Sequence, residues 1–224
     1  ATGPGQAAKL YLALVAADCD PASIEGDDLA ASLTTGALPT GLYGTGVFDH
    51  ALILLALVAA GETVPDGAIS ALREARIEDG SWAYDGATTP GSGDSNTTAL
   101  VVQAIVAAGL ADDPMVTDAF AYLAQTQSTN GGFAFNAVEP LVPDANSTAI
   151  VLQAAIAAGE DLNSTEWRAA SEALRRFQNQ SGAFRYNDSQ PEDNLFATMQ
   201  AIPALAGVAF PLRPASTAAT PGAG

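Results

Sequence analysis

The stretch LAQTQSTNGGF at residues 123–133 recurs as LRRFQNQSGAF at 174–184 and as LREARIEDGSW at 72–82. Each copy places Gln four residues after Leu and then a Gly and an aromatic residue, although Arg76 takes the place of Gln in residues 72–82. A fourth, less complete copy contains Leu33, Gly41 and Tyr43. An apolar run follows each copy and ends at a glycine. These glycines are Gly61, Gly109, Gly159 and Gly207, which are 48, 50 and 48 residues apart. A fixed period of this length predicts a repeated supersecondary unit.

Two kinds of helical segment alternate along the chain. The first kind is almost free of charge, which predicts helices that are buried on all sides. These inner segments cover 5–17, 47–60, 96–108, 146–158 and 194–206. The second kind is amphipathic, with apolar residues at spacings of three and four, and is predicted to face water. These outer segments cover 22–34, 66–77, 114–127 and 164–179.

Helix start and stop signals support the same division. Asn163-Ser-Thr-Glu166 fits a capping box, Asp113-Pro114 fits an N-cap followed by a first-turn proline, and Gly after Ala-Ala ends the apolar runs. No period-two alternation persists, so strands are not predicted. The predicted fold is all-α: an α/α toroid, an incomplete α6/α6-type barrel of helical hairpins of about 50 residues each. Such a chain forms an open variant, is part of a longer toroid, or completes its wall by association.

Composition limits the domain number and the partners. The length of 224 residues fits one domain, which we assign to residues 1–210, and the Pro/Ala/Thr/Gly-rich residues 211–224 are interpreted as a linker or tail, disordered from residue 213. The net charge of −17 argues against nucleic acid and anionic membranes as partners. Cys19 is alone, so neither an intrachain disulfide nor a Cys-rich zinc site is expected. The apolar run Ala51–Ala60 is too short to span a bilayer, and no signal peptide is recognised.

The repeated line resembles the QW motif of the squalene/hopene cyclases and related prenyltransferase-like repeat proteins, whose fold is the α/α toroid. The segments Asp94-Ser-Asn-Thr-Thr-Ala99 and Asp144-Ala-Asn-Ser-Thr-Ala149 resemble the Asp-x-Asp-Asp-Thr-Ala motif of the cyclases. In that family the middle aspartate is the proton donor, whereas Asn96 and Asn146 stand there in this chain. An amide cannot protonate an alkene. The zinc ligands of protein prenyltransferases also have no counterpart, and the resemblance is closest to the non-catalytic bacterial secreted or surface repeat proteins.

Polar residues at the start of the inner helices are the first candidate site. If these helices run side by side, the carboxylates and amides stack at one mouth of the ring, where they could hold a ligand or a cation such as Ca²⁺. The alternative is that they only cap the helices. No metal site is assigned. The candidate ligand-binding residues of this group are Asp94, Asn96, Asp144, Asn146 and Asp193.

An aromatic-x-aromatic pattern ends each repeat and forms a second candidate series. One aromatic residue of each pair is expected to fill the gap between hairpins, and the other to point the opposite way if the segment is extended. Tyr84, Phe135 and Tyr186 are therefore candidates for a ligand-facing mouth, with core packing as the alternative. Gln103 and Gln153 lie mid-helix and are expected either to contact a neighbouring helix or to line a cavity.

These features favour a non-catalytic domain that binds a ligand or a partner, in an extracytoplasmic, secreted or cell-surface protein of bacteria. The partner would be a small molecule, for example a corrinoid or an isoprenoid, or another protein, and a homo-oligomer is possible. No cofactor is indicated and no catalytic residue is assigned. His50 beside Asp49 lacks a third partner for general-base chemistry. The alternatives are a terpenoid cyclase-like or prenyltransferase-like enzyme that acts on an isoprenoid, and a structural spacer.

Overall fold

The apolar and amphipathic segments alternate as helices in a computed structural model, which describes residues 3–23 and 29–212. The described residues form nine α-helices and one β-hairpin. The helices are α1 (Pro4–Ala16), α2 (Leu29–Leu33), α3 (Val47–Ala59), α4 (Asp66–Glu74), α5 (Ser95–Ala107), α6 (Pro114–Gln125), α7 (Ala145–Ala158), α8 (Thr165–Arg176) and α9 (Leu195–Leu205). None of these described helices is long and apolar enough to cross a membrane.

The odd-numbered helices form the inner layer. Each packs on the next, in the order α1, α3, α5, α7, α9, and each of these junctions is among the most extensive helix contacts of the fold. Helices α5 and α7 are buried over almost their whole length because they have an inner neighbour on both sides. Helices α1 and α9 have one each, so the prediction that every inner helix is buried on all sides is wrong at the two ends of the arc. Leu10 of α1 and Met199 of α9 are exposed there.

The even-numbered helices form the outer layer, and α6 and α8 each cover the inner helix that precedes them. Asp113 caps α6, as the sequence predicts, whereas α8 is capped by Ser164, one residue after the Asn163 that begins the predicted capping box. Gln127 and Gln178 donate from their side-chain amides to the carbonyls of Gly131 and Gly182 in the following loops. Arg76, which takes the place of Gln in residues 72–82, instead forms an ion pair with Asp118 of the next outer helix, because its longer cationic side chain reaches that carboxylate.

The first outer segment differs from its prediction. In place of one helix over 22–34, the described residues show a 3₁₀ turn at Pro21–Ser23 and the short α2. Residues 24–28 between them lie outside the described residues, as does the predicted tail at 213–224. The boundary between domain and tail therefore stays a prediction.

A short antiparallel hairpin, which the sequence did not predict, joins α8 to α9. It pairs β1 (Arg185–Asn187) with β2 (Gln190–Asp193). The side-chain oxygen of Asn187 accepts the backbone N–H groups of Ser189 and Gln190 at 3.0 Å, and this Asx turn reverses the chain. Apart from this hairpin and isolated bridges, the described residues are helices and loops, and the prediction of an all-α toroid is confirmed.

Candidate functional site

The inner helices are parallel to one another because an outer helix carries the chain back after each of them. The loops that leave α4, α6 and α8 therefore arrive at the same end of the arc, where α5, α7 and α9 begin. We call this end the N-terminal mouth. Most of the candidate residues chosen from the sequence are brought together here; Gln103 and Gln153 lie deeper, in the middle of α5 and α7.

The aromatic pairs divide between the core and the mouth. Trp82, Phe133 and Phe184 are buried, whereas Tyr84 and Phe135 are about half exposed at 53% and 48%. Tyr186 is half-buried. The segments are extended, since isolated antiparallel bridges join Trp82 to Asp94 and Gln127 to Phe133. Alternation along an extended segment then turns one ring inward and the next outward.

A threonine in the first turn of α5, α7 and α9 fixes this register, and its role was not predicted from the sequence. The hydroxyls of Thr98, Thr148 and Thr198 accept the N–H groups of Trp82, Phe133 and Phe184 at 3.1, 3.0 and 2.9 Å. The sequence does contain a signal for this contact, because a threonine lies four positions after each of the N-cap residues Asp94, Asp144 and Asn194. The same contact in three repeats places the outward rings of Tyr84, Phe135 and Tyr186 at equivalent points of the mouth.

The outward aromatic segments also cover the preceding inner helices. The carbonyl of Phe135 accepts the N–H of Ser95 at 2.8 Å, and that of Tyr84 accepts the N–H of Phe48 at 3.3 Å. The rings of Tyr84 and Phe48 stack with centroids 5.2 Å apart. Beside Tyr84 lies an open cleft of about 250 Å³ whose lining also includes Lys9 and Asp49. The mouth thus carries exposed aromatic surface next to a cleft.

Asp94 and Asp144 are N-caps. Asp94 accepts the N–H and hydroxyl of Thr97 at 2.7 and 2.8 Å, and Asp144 accepts the same two groups of Ser147, both at 2.8 Å. Both carboxyls are buried, and this desolvation raises their pKa, while the hydrogen bonds oppose the rise. The hydroxyl of Tyr186 also bonds to Asp144. The oxygens of both carboxylates are therefore occupied by the helix that they begin.

Asp193 is not the third member of this series, although the sequence analysis grouped it with Asp94 and Asp144. Asn194 caps α9 by accepting the N–H of Ala197 at 3.0 Å. Asp193 is exposed and accepts hydrogen bonds from Asn179 and Ser181 at 2.8 and 2.9 Å. These bonds lower the pKa of the Asp193 carboxyl. This residue belongs to the rim of the hairpin loop.

Asn96 and Asn146 stand at the position where the resembling cyclases have the proton-donating aspartate. Both are half-buried in the first turn of their helices. The side-chain oxygen of Asn146 is buried and has no hydrogen-bond partner among the described residues. A buried amide oxygen without a partner is costly, and a ligand that donates a hydrogen bond would satisfy it.

Gln153 joins α7 to α9, and Gln103 joins α5 to the segment that follows α9. The side-chain oxygen of Gln103 accepts the N–H of Phe210 at 3.0 Å. The amide nitrogen of Gln153 donates to the carbonyl of Gln200 in α9 at 3.2 Å. The side-chain oxygens of Gln153 and Gln200 are buried without partners among the described residues. These contacts fit the structural role that was one of the two interpretations of the sequence.

His50 is buried, and both of its ring nitrogens are hydrogen-bonded to backbone groups. Its Nδ1 accepts the N–H of Tyr43 at 2.8 Å, so the proton is on Nε2, which donates to the carbonyl of Ala68 at 3.0 Å. Burial lowers the pKa of the ring from 6.5 to about 4. The ring therefore ties the Tyr43 loop to α4. Among the described residues, no group of three or more His, Cys, Asp or Glu is placed to hold a metal ion.

The fold is similar to that of solved type II terpene cyclases. MstE from Scytonema matches with a TM-score of 0.50 and 21% sequence identity, and two single-residue variants of it match with TM-scores of 0.51 and 20% identity. One variant is in complex with its product, merosterolic acid A. The matches cover 91% of this chain but only 56–58% of the cyclase chains, so this chain spans little more than half their length. No protein-family model matches the sequence, and no curated protein matches it. From the structural matches alone, the chain shares the terpene cyclase-like fold.

Proposed function

We propose that this chain is a non-catalytic binding domain that holds an apolar small molecule at its N-terminal mouth. The proposal rests on the composition of the mouth. The rings of Tyr84 and Phe135 are exposed there, and the amides Asn96 and Asn146 stand where the resembling cyclases have the aspartate that donates the proton. Exposed aromatic rings bind apolar ligands well because each buries a large area with few rotatable bonds. The neighbour that contains merosterolic acid A supports a ligand of isoprenoid origin.

The polar groups of the mouth suggest how such a ligand would be oriented. The unpartnered oxygen of Asn146 would accept a hydrogen bond from a hydroxyl or an acid group of the ligand. Lys9, the only lysine of the chain, lines the cleft next to Tyr84 and could neutralise an anionic head group. An extracytoplasmic setting remains part of the proposal, supported by the net charge of −17 and the Thr/Pro/Ala-rich residues 213–224.

A cyclase-like enzyme is the second candidate, and one observation favours it. Asp94 and Asp144 are buried carboxyls with a raised pKa, which is a property of catalytic acids. Their hydrogen bonds to Thr97 and Ser147 argue the other way, since a carboxylate that accepts from its own helix is held in the ionised form. The capping role explains both residues without chemistry.

Binding of farnesol tests the proposal. We expect the Phe135→Ala variant to bind farnesol about tenfold more weakly than wild type, because the exposed ring supplies roughly 1.5 kcal/mol of apolar contact. Equilibrium dialysis with radiolabelled farnesol measures the dissociation constants. Val142→Ala is the matched control, since Val142 is also an exposed apolar residue, in the loop that follows Phe135. Equal dissociation constants for the two variants, or no binding by wild type, would contradict the proposal.

A further inference from the structure

The exposed side of α9 corresponds to a largely buried side of α5 and α7. The hydrogen bonds of Thr98, Thr148 and Thr198 put α5, α7 and α9 in register from their first residues, Ser95, Ala145 and Leu195. In this register Met199 and Ile202 correspond to Ala149 and Leu152. The first two are 58% exposed, whereas the second two are 0% and 1% exposed. The same face is buried in α7 because α9 follows it.

Three residues of this face, Leu195, Phe196 and Met199, are larger and more apolar than their counterparts in α7, and the fourth, Ile202, is isomeric with Leu152. Helix α9 contains no charged residue, and four of its exposed side chains are apolar. We call this face the leading edge, and its residues are Leu195, Phe196, Met199 and Ile202. Exposed apolar patches of this kind mark interaction surfaces.

Helix α1 has an uncovered face on the side opposite to α3, where a preceding inner helix would pack. Counted from the first helical residues Pro4, Val47 and Ser95, Leu10 corresponds to Ile53 and Val101. Leu10 is 40% exposed, whereas Ile53 and Val101 are 0% exposed. Only α1 lacks a preceding inner helix among the described residues. We call this second face the trailing edge, and its exposed residues are Gln6, Lys9, Leu10 and Ala13.

We propose that a second copy of this chain packs the trailing edge of its α1 on the leading edge of α9, head to tail. Every internal junction joins such a pair of faces, and the chain carries one open face of each kind. Packing of α9 on a second α9 would instead join two leading edges, which no internal junction does. A head-to-tail contact is heterologous, so it produces a closed ring or a filament.

The charges of the molecule make this contact dependent on salt. The net charge of −17 repels two copies at long range, but Lys9 is the only charge on the two edges themselves. Screening removes the repulsion without weakening the apolar contact. We therefore expect association to become stronger as salt is added.

Two charge substitutions, one on each edge, test the arrangement. Sedimentation velocity of the 224-residue chain should show oligomers that grow with concentration. Leu10→Glu and Ile202→Glu should each weaken association roughly a hundredfold, because each introduces a carboxylate that must lose its hydration in an apolar contact with a single cation, Lys9. An equimolar mixture of the two variants should form a complex of one copy of each and nothing larger, since each variant keeps one intact edge. Val142→Glu, at an exposed apolar site in the loop before α7 and on neither edge, should associate like wild type.

Each other outcome overturns the proposal. Association that survives Leu10→Glu but not Ile202→Glu would mean that α9 packs on α9. A wild-type chain that stays monomeric at high concentration and high salt would exclude a second copy as the occupant. If deletion of residues 213–224 then caused association, the tail would be what covers the leading edge. Circular dichroism of both variants checks that neither loss comes from unfolding.

Discussion

Acid should destabilise this protein through the buried side chain of His50. The ring is neutral in the folded state because burial lowers its pKa from 6.5 to about 4. In the unfolded chain it binds a proton near pH 6.5, so between these values the unfolded state holds more protons than the folded state. Stability is therefore complete above pH 6.5 and falls as the pH drops, by about 3 kcal/mol at pH 4.

The variant His50→Gln isolates this effect. A glutamine can accept the N–H of Tyr43 and donate to the carbonyl of Ala68, but it does not titrate. We expect its free energy of unfolding, measured by urea denaturation, to lack the fall of about 3 kcal/mol that wild type shows between pH 6.5 and 4. Since His50 is the only histidine, its pKa can also be read directly by NMR. Parallel pH profiles, or a histidine pKa near 6.5, would show that the ring is not held as described.

The second large effect is expected at Gly131, where the loop after one hairpin lies close to the outer helix of the next. Gly131 has a φ of +87°, and a Cβ there would lie 2.7 Å from the backbone of Ala169 in α8. Gly131→Ala therefore combines a left-handed alanine with a clash against backbone, and should cost about 3 kcal/mol or more of the free energy of unfolding. Urea denaturation measures this loss.

The repeat supplies its own control at Gly182. This glycine occupies the same place in the motif and has a φ of +90°, but a Cβ there meets nothing within 4 Å. Gly182→Ala should cost only the left-handed conformation, about 1 kcal/mol. The difference between the two variants measures how tightly an outer helix rests on the preceding loop. Equal losses would mean that the hairpins do not stack as described.

The sequence predicted the architecture well because the repeat fixes it. Apolar segments such as 96–108 have no polar face to turn to water, so burial between neighbours is their only stable place, and α5 lies there. The failures at α1 and α9 have the same physical origin. A residue pattern shows what a helix can bury, but whether a neighbour covers that face depends on the assembly. Helix α9 covers α7, whereas no described element covers the leading edge of α9.

The candidate site was less predictable, and for a different reason. The residue types at 94 and 144 fit both a cap and a ligand site, and only the hydrogen bonds to Thr97 and Ser147 show that the carboxylates serve the helix. The outward direction of Tyr84 and Phe135 follows from the extended segments, which the sequence analysis allowed as a condition. The hairpin at 185–193 depends on one side chain, Asn187, which leaves no periodic signal.

The fate of a bound isoprenoid tests the central claim, binding without chemistry, most directly. Cyclisation by protonation is an isomerisation and leaves the mass unchanged, so the ligand must be identified by gas chromatography after release from the protein. Squalene incubated with the wild-type chain at pH 6 should be recovered entirely as squalene, because amides stand where the acid is needed. Recovery of a ring-containing isomer, lost in a variant with both Asp94→Asn and Asp144→Asn, would contradict the account and establish the chain as an enzyme.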